Sequence, residues 1–100
     1  MAEIIWTDPA AEDLAEIAEY IARDKPDAAE NFVGKLLNSV DQLADFPLKG
    51  RVIPEFESER YRELVVFPCR VIYTPTVDAV VILRIIQGER QLRQQMFSPN

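Results

Sequence analysis

The chain has 100 residues, 48% of them apolar, and a formal net charge of −6 from 11 basic and 17 acidic side chains. That length supports one domain around one core, and the negative field argues against a surface that gathers nucleic-acid phosphates at long range. With no histidine and one cysteine, Cys69, the sequence excludes a disulfide framework and a zinc centre of the usual ligand types.

The charge is unevenly placed. Residues 1–48 hold 3 basic and 11 acidic side chains, residues 49–100 hold 8 and 6. A local positive patch can therefore grip carboxylates even though the whole chain is acidic. No run approaches the ~20 apolar residues of a membrane-spanning helix, and Met1-Ala2-Glu3-Ile4-Ile5-Trp6 carries no basic leader. A cytoplasmic protein with no metal or cofactor and no membrane association is the expectation.

Glu3 to Trp6 reads as a short strand. Thr7-Asp8-Pro9 ends it, with Asp8 placed to cap a helix that has Pro9 at its first position. Ala10, Leu14, Ile17, Ala18 and Ile21 recur at helical spacing, while Glu12, Asp13, Glu16 and Glu19 cover the opposite side. Asp24-Lys25-Pro26-Asp27 stops this helix and starts a second, predicted over 26–45, whose Phe32, Val33, Leu36, Leu37, Val40 and Leu43 form a broad apolar stripe. Gly34 inside it costs roughly 1 kcal/mol against alanine.

Residues 47–60, rich in proline and glutamate, read as an exposed polar connection. Three strands are predicted at 60–66, 69–74 and 79–86, separated by Phe67-Pro68 and by Pro75-Thr76-Val77-Asp78, spacings that suit antiparallel hairpins. The fold class is α+β. The first strand joins the edge of one sheet, a helical hairpin covers one face, and the other face stays open. Alternation places Val81, Leu83 and Ile85, with Cys69, Val71 and Tyr73, toward the helices; the strand at 60–66 fits either way.

Arg62, Arg70 and Arg84 each lie within a predicted strand. A mid-strand charge is unfavourable unless it faces water or a partner, so the three suggest one shared surface on the open face, together with Ile82. Trp6, Tyr20 and Tyr73 read as packing aromatics, Cys69 as a small buried hydrophobe, and Arg62 and Glu63 either as residues that each serve pairing with a neighbouring strand or as partner contacts. Residues 87–100 form a polar tail bearing Leu92, Met96 and Phe97.

The order and spacing of Trp6, Ala10, Asp13-Leu14, Ile17, Tyr20-Ile21, Pro26, Ala28-Ala29, Leu43, Phe46-Pro47, Gly50-Arg51, Pro54-Glu55, Tyr61-Arg62-Glu63-Leu64, Arg70-Val71-Ile72-Tyr73 and Gly88-Glu89-Arg90 carry a resemblance. Over nearly its whole length the chain resembles the ParE/RelE superfamily of toxins from type II toxin–antitoxin systems, closer to the ParE branch. The resemblance implies a single toxin domain over 1–100, with 87–100 as a C-terminal tail. It further implies a cognate ParD-like antitoxin as partner in a hetero-oligomer, DNA gyrase as target, and no sequence-specific nucleic-acid binding by the chain itself. On this reading Arg62, Arg70, Arg84 and Ile82 contact the antitoxin, and Arg90, Arg93, Met96 and Phe97 contact the target.

The alternative within the superfamily is ribosome-dependent cleavage of messenger RNA, as in the RelE branch. Arg62, Arg70 and Arg90 match positions where those enzymes carry cations. Leu64 stands where that branch tends to have lysine, and Met96 falls near its tail tyrosine. Arginine is charged at any ordinary pH and shuttles protons poorly, so the set reads as a binding surface rather than an acid–base site. Many relatives carry His-Gly-Arg-Arg where this chain has Gln87-Gly88-Glu89-Arg90.

Overall fold

The computed structural model describes residues 1–88. Strand β1 (Glu3–Trp6) leads into α1 (Asp8–Asp24), followed by α2 (Pro26–Asp41) and a 3-10 turn at Gln42–Ala44. Then come β2 (Arg51–Val52), β3 (Arg62–Val66), β4 (Cys69–Pro75) and β5 (Ala79–Gln87).

The first helix begins one residue earlier than expected. Thr7, not Asp8, is the cap: its hydroxyl accepts from the Ala10 N–H at 3.3 Å and donates to the Ile82 carbonyl at 2.8 Å. One side chain thus ends β1, starts α1 and ties both to β5. The second helix stops at Asp41, and the rest of its expected length tightens into the 3-10 turn.

The five strands lie in the order β1-β5-β4-β3-β2. β1 pairs parallel to β5, Glu3 opposite Ala79 through Trp6 opposite Ile82, and every other pairing is antiparallel. Leu36, Val40 and Leu43 press onto the sheet side formed by Leu64, Val66, Cys69, Val71, Tyr73, Val80, Ile82 and Ile85. Leu36, Val40 and Leu43 are fully buried, each worth about 1.5–3 kcal/mol against exposure. Cys69, Val71 and Tyr73 therefore face the helices as expected, and β3 resolves with Leu64 and Val66 on that side.

In β5 simple alternation fails at a bulge. Ile72 lies opposite Arg84 but Tyr73 opposite Ile82, which leaves Leu83 as an extra residue. Before the bulge Val80 and Ile82 face the helices, and after it Ile85 does, so Val81 and Leu83 do not join the main core. A one-residue insertion reverses the phase of everything beyond it.

The second face of the sheet is not open. Residues 53–61 fold across it, and Ile53 and Tyr61, with Phe56 beside them, pack on Ile72, Leu83 and Ile86 as a second apolar cluster. The glutamates of this connection remain exposed while Ile53 is fully buried. The face expected to stay open is covered by the chain itself.

Candidate functional site

Gly50 and Tyr73 set the frame in which the arginines sit. The Tyr73 hydroxyl donates to the Pro47 carbonyl at 2.8 Å and accepts the Gly50 N–H at 2.9 Å, pinning the start of the connection to the middle of β4. A Cβ on Gly50 would lie 2.6 Å from the Glu63 carbonyl oxygen and from the Tyr73 hydroxyl, so this close approach requires glycine. Burial pushes the Tyr73 phenol above its ordinary value.

Arg62 lies opposite Tyr73 and donates to the Gly50 carbonyl at 2.8 Å. Glu63, one residue on, points to the other face and is 1% exposed. It accepts from Arg70 at 3.2 and 3.3 Å and from Arg51 at 3.3 Å. Arg70 also reaches Glu55 at 3.1 Å. The result is a four-member network, Arg51–Glu63–Arg70–Glu55, that staples residues 53–61 onto the sheet. Burial alone would lower the Arg70 pKa, but Glu55 and Glu63 outweigh it and hold the guanidinium above its ordinary value. Burial likewise works to raise Glu55, yet the hydrogen bond and charge of Arg70 hold that carboxyl below the usual carboxylate range.

Arg84 belongs to a separate lock. Its Nε donates to Asp13 Oδ2 at 2.7 Å and its Nη2 to Oδ1 at 3.0 Å, a two-toothed pair, while the Ile85 N–H donates to the same Oδ2 at 3.0 Å. The Asp13 hydrogen bonds, against burial, hold Arg84 above its ordinary pKa. The physical reason for the lock is the shortness of β1. It covers β5 only as far as Ile82, and α1 then runs along the uncovered edge, where Thr7 and Asp13 satisfy backbone groups that a longer strand would have paired.

The surface expected from sequence is thus redistributed. Arg62 lies on the helix side with its charge turned to backbone carbonyls, Arg70 lies under the loop, and Arg84 clasps α1. The three do not converge on one open face, and the side chains of Arg70 and Arg84 are 16% and 20% exposed. Ile82 is fully buried in the main core rather than displayed, because the bulge reverses its phase. Arg90, Arg93, Met96 and Phe97 lie outside the described residues.

Two groups of residues escaped the sequence reading. Asp13 was grouped with the solvated acids of α1, although its position three after Ala10 and four before Ile17 sets it on the border of the apolar stripe, which was the available signal. Ile53 and Phe56 stand as isolated apolar residues in an acid-rich connection, which marks anchors. Tyr20 reverses the expectation in the other direction: it is 64% exposed, beside Glu16 and Ile17 in a groove between α1 and the end of β5. Cys69 is buried as expected, and its burial raises the thiol pKa.

The sequence model of the family described as "ParE toxin of type II toxin-antitoxin system, parDE" matches residues 4–92. Toxin RelE2 of Caulobacter vibrioides is 37% identical over 91 residues, an alignment spanning 90% of this chain and 99% of that protein. The solved structure titled "Chromosomal ParDE TA system from P. aeruginosa" superposes with a TM-score of 0.75 at 26% identity, over 89% of this chain and 98% of the other. The two helices and the five-stranded mixed sheet are common to both architectures.

Proposed function

Because the chain belongs to the ParE toxin family of type II toxin–antitoxin systems, we propose that it acts by binding rather than by bond cleavage, inhibiting DNA gyrase until a cognate ParD-like antitoxin covers it. The observation that carries this reading is the fate of the cations. A phosphate-cleaving site needs several of them aimed at one point, with a group able to move a proton. Here Arg70 is held by two carboxylates and Arg62 by backbone carbonyls, on opposite sides of the sheet.

Arg90, Arg93, Met96 and Phe97 remain the proposed target contacts. Arg70 and Arg84, each with a margin of guanidinium at the surface, are the proposed antitoxin contacts; an antitoxin carboxylate joins or replaces Glu55 or Asp13 there, and Arg62 at the loop edge does the same against Gly50. The setting is the cytoplasm, where gyrase works, and no described helix is long and apolar enough to cross a membrane.

The test is a gyrase supercoiling and DNA-cleavage assay with the purified protein, run with and without an excess of the antitoxin encoded beside it. Loss of supercoiling, reversed by the antitoxin, is expected. The alternative weighed from the sequence is ribosome-dependent cleavage of messenger RNA. Unimpaired gyrase together with new codon-specific RNA ends in expressing cells would establish that reading in place of ours.

A further inference from the structure

We propose that the outer edge of β3 at Val65 takes an extended segment of the antitoxin as an added strand, one in which acidic and apolar side chains are mixed. The inference rests on the toxin–antitoxin function proposed above and adds where, and by which backbone groups, the antitoxin holds the chain.

The edge is uncovered because β2 is short. It pairs Arg51 with Glu63 and Val52 with Arg62. Lys49, which the same register would set opposite Val65, turns away instead, its N–H held by the Phe46 carbonyl at 3.0 Å. The backbone groups of successive residues in an antiparallel strand point alternately to its two sides. The Tyr61 carbonyl accepts the Ile53 N–H at 3.4 Å, so Tyr61, Glu63 and Val65 face the β2 side, while Leu64 and Val66 face β4. Of the outward three, Val65 lies past the end of β2. Its N–H and carbonyl form a free rung at the sheet margin, which is what an added strand pairs with.

The surroundings select the partner. Val65 and Phe67, together with Phe46 and Leu48 from the turn that carries the chain away from β3, are each 60% or more exposed. Large apolar side chains gathered at an uncovered edge mark an interface. Two cations stand beside them. The network described above matches Arg51 and Arg70 with Glu63 and Glu55, whereas neither Lys49 nor Arg62 has a carboxylate within ion-pair distance among the described residues. Lys49 donates to the neutral amide oxygen of Gln42. Arg62 is short of acceptors as well as of counter-charge: its Nη1 bonds the Gly50 carbonyl at 2.8 Å, and its Nε is buried without a partner. A strand bearing a carboxylate supplies what Arg62 lacks, and its apolar side chains cover Val65 and Leu48. A second copy of the chain suits the edge poorly, because a two-fold contact there sets Lys49 and Arg62 against their own counterparts.

The experiment titrates the full-length, isotope-labelled chain with the antitoxin encoded beside it and follows amide exchange. In the free protein the Val65 amide should exchange far faster than those of Leu64 and Val66, and binding should slow it by about 100-fold or more. Val65→Pro removes an N–H that the ladder to β4 does not use, and should weaken antitoxin binding by about 10-fold or more, whereas Val65→Thr, which keeps that N–H, should stay within about 3-fold of the wild type. Arg62→Gln should weaken binding by about 10-fold. A Val65 amide that remains unprotected in the complex, or a Val65→Pro variant that binds as the wild type does, would overturn the proposal and leave the antitoxin reading standing. An antitoxin that does not bind the wild-type chain would overturn both. Protection of Val65 that rises with the concentration of the chain alone would also overturn it, by putting a second copy on the edge.

Discussion

Replacing Asp13 separates an architectural role for Arg84 from a recognition role. In Asp13→Ala the Arg84 guanidinium loses a two-toothed partner and the Ile85 N–H loses its acceptor. A hydrogen bond to a charged group contributes about 1.5–3 kcal/mol, and a backbone donor left unpaired at a partly buried site adds about 1 kcal/mol. The side chains of Arg84 and Asp13 are 20% and 15% exposed, so solvent screening trims these figures only modestly. Asp13→Ala should therefore destabilise by about 2–4 kcal/mol. Arg84→Ala should cost less, about 1.5–3 kcal/mol, because Asp13 keeps the Ile85 N–H. The double variant should fall short of the sum by roughly 1–2 kcal/mol, the coupling of the pair. Urea unfolding reads this directly, each kcal/mol moving the midpoint by about 0.3–1 M. A coupling within about 0.3 kcal/mol of zero, with normal stability in Arg84→Ala, would refute the lock.

Tyr73→Phe keeps the packing but strips the Gly50 N–H and the Pro47 carbonyl of their partner, and should cost about 2–3 kcal/mol in urea unfolding. Gly34→Ala should raise stability by about 1 kcal/mol in the same assay, since Gly34 is helical and an added Cβ would meet nothing within 4 Å. Glu55 sits below its ordinary pKa when folded, so its contribution is fully present above the unfolded value of about 4.3 and is lost as pH falls through the lower folded value. Stability measured across this acid range should therefore decline less steeply in Glu55→Gln than in the wild type.

Much of the fold was legible because it rests on period and punctuation. The helical hairpin follows from the spacing of Leu14, Ile17, Leu36 and Val40, and the strands from apolar runs broken at Pro68 and at Val77-Asp78. The inward face of β4 followed from alternation alone. The face of β5 did not, because a bulge is set by the neighbouring strand and by α1 rather than by the residues of β5. Nor did the covered second face, since Ile53 and Phe56 are too few to form a periodic signal and gain meaning only when Ile72 and Ile86 lie beneath them.

The arginines are the instructive case. Sequence reasoning correctly held that a charged side chain within a strand needs a partner, but it looked for that partner outside the chain. Several residues that carried the family resemblance are the missing partners: Asp13 for Arg84, Glu55 and Glu63 for Arg70, Gly50 for Arg62 and Tyr73. Side chains 71 positions apart cannot be matched by local pattern.

The parallel pairing of β1 with β5 joins residue 3 to residue 79. During synthesis the amino-terminal strand and both helices emerge while the strand that completes their core is still unmade. At translation speeds of about 5–20 residues per second, the half-made chain spends several seconds without its sheet. Contacts this remote in sequence also close slowly. Activity that depends on the finished fold is consequently delayed until the strand at Ala79–Gln87 has been made, an interval built into the strand order itself.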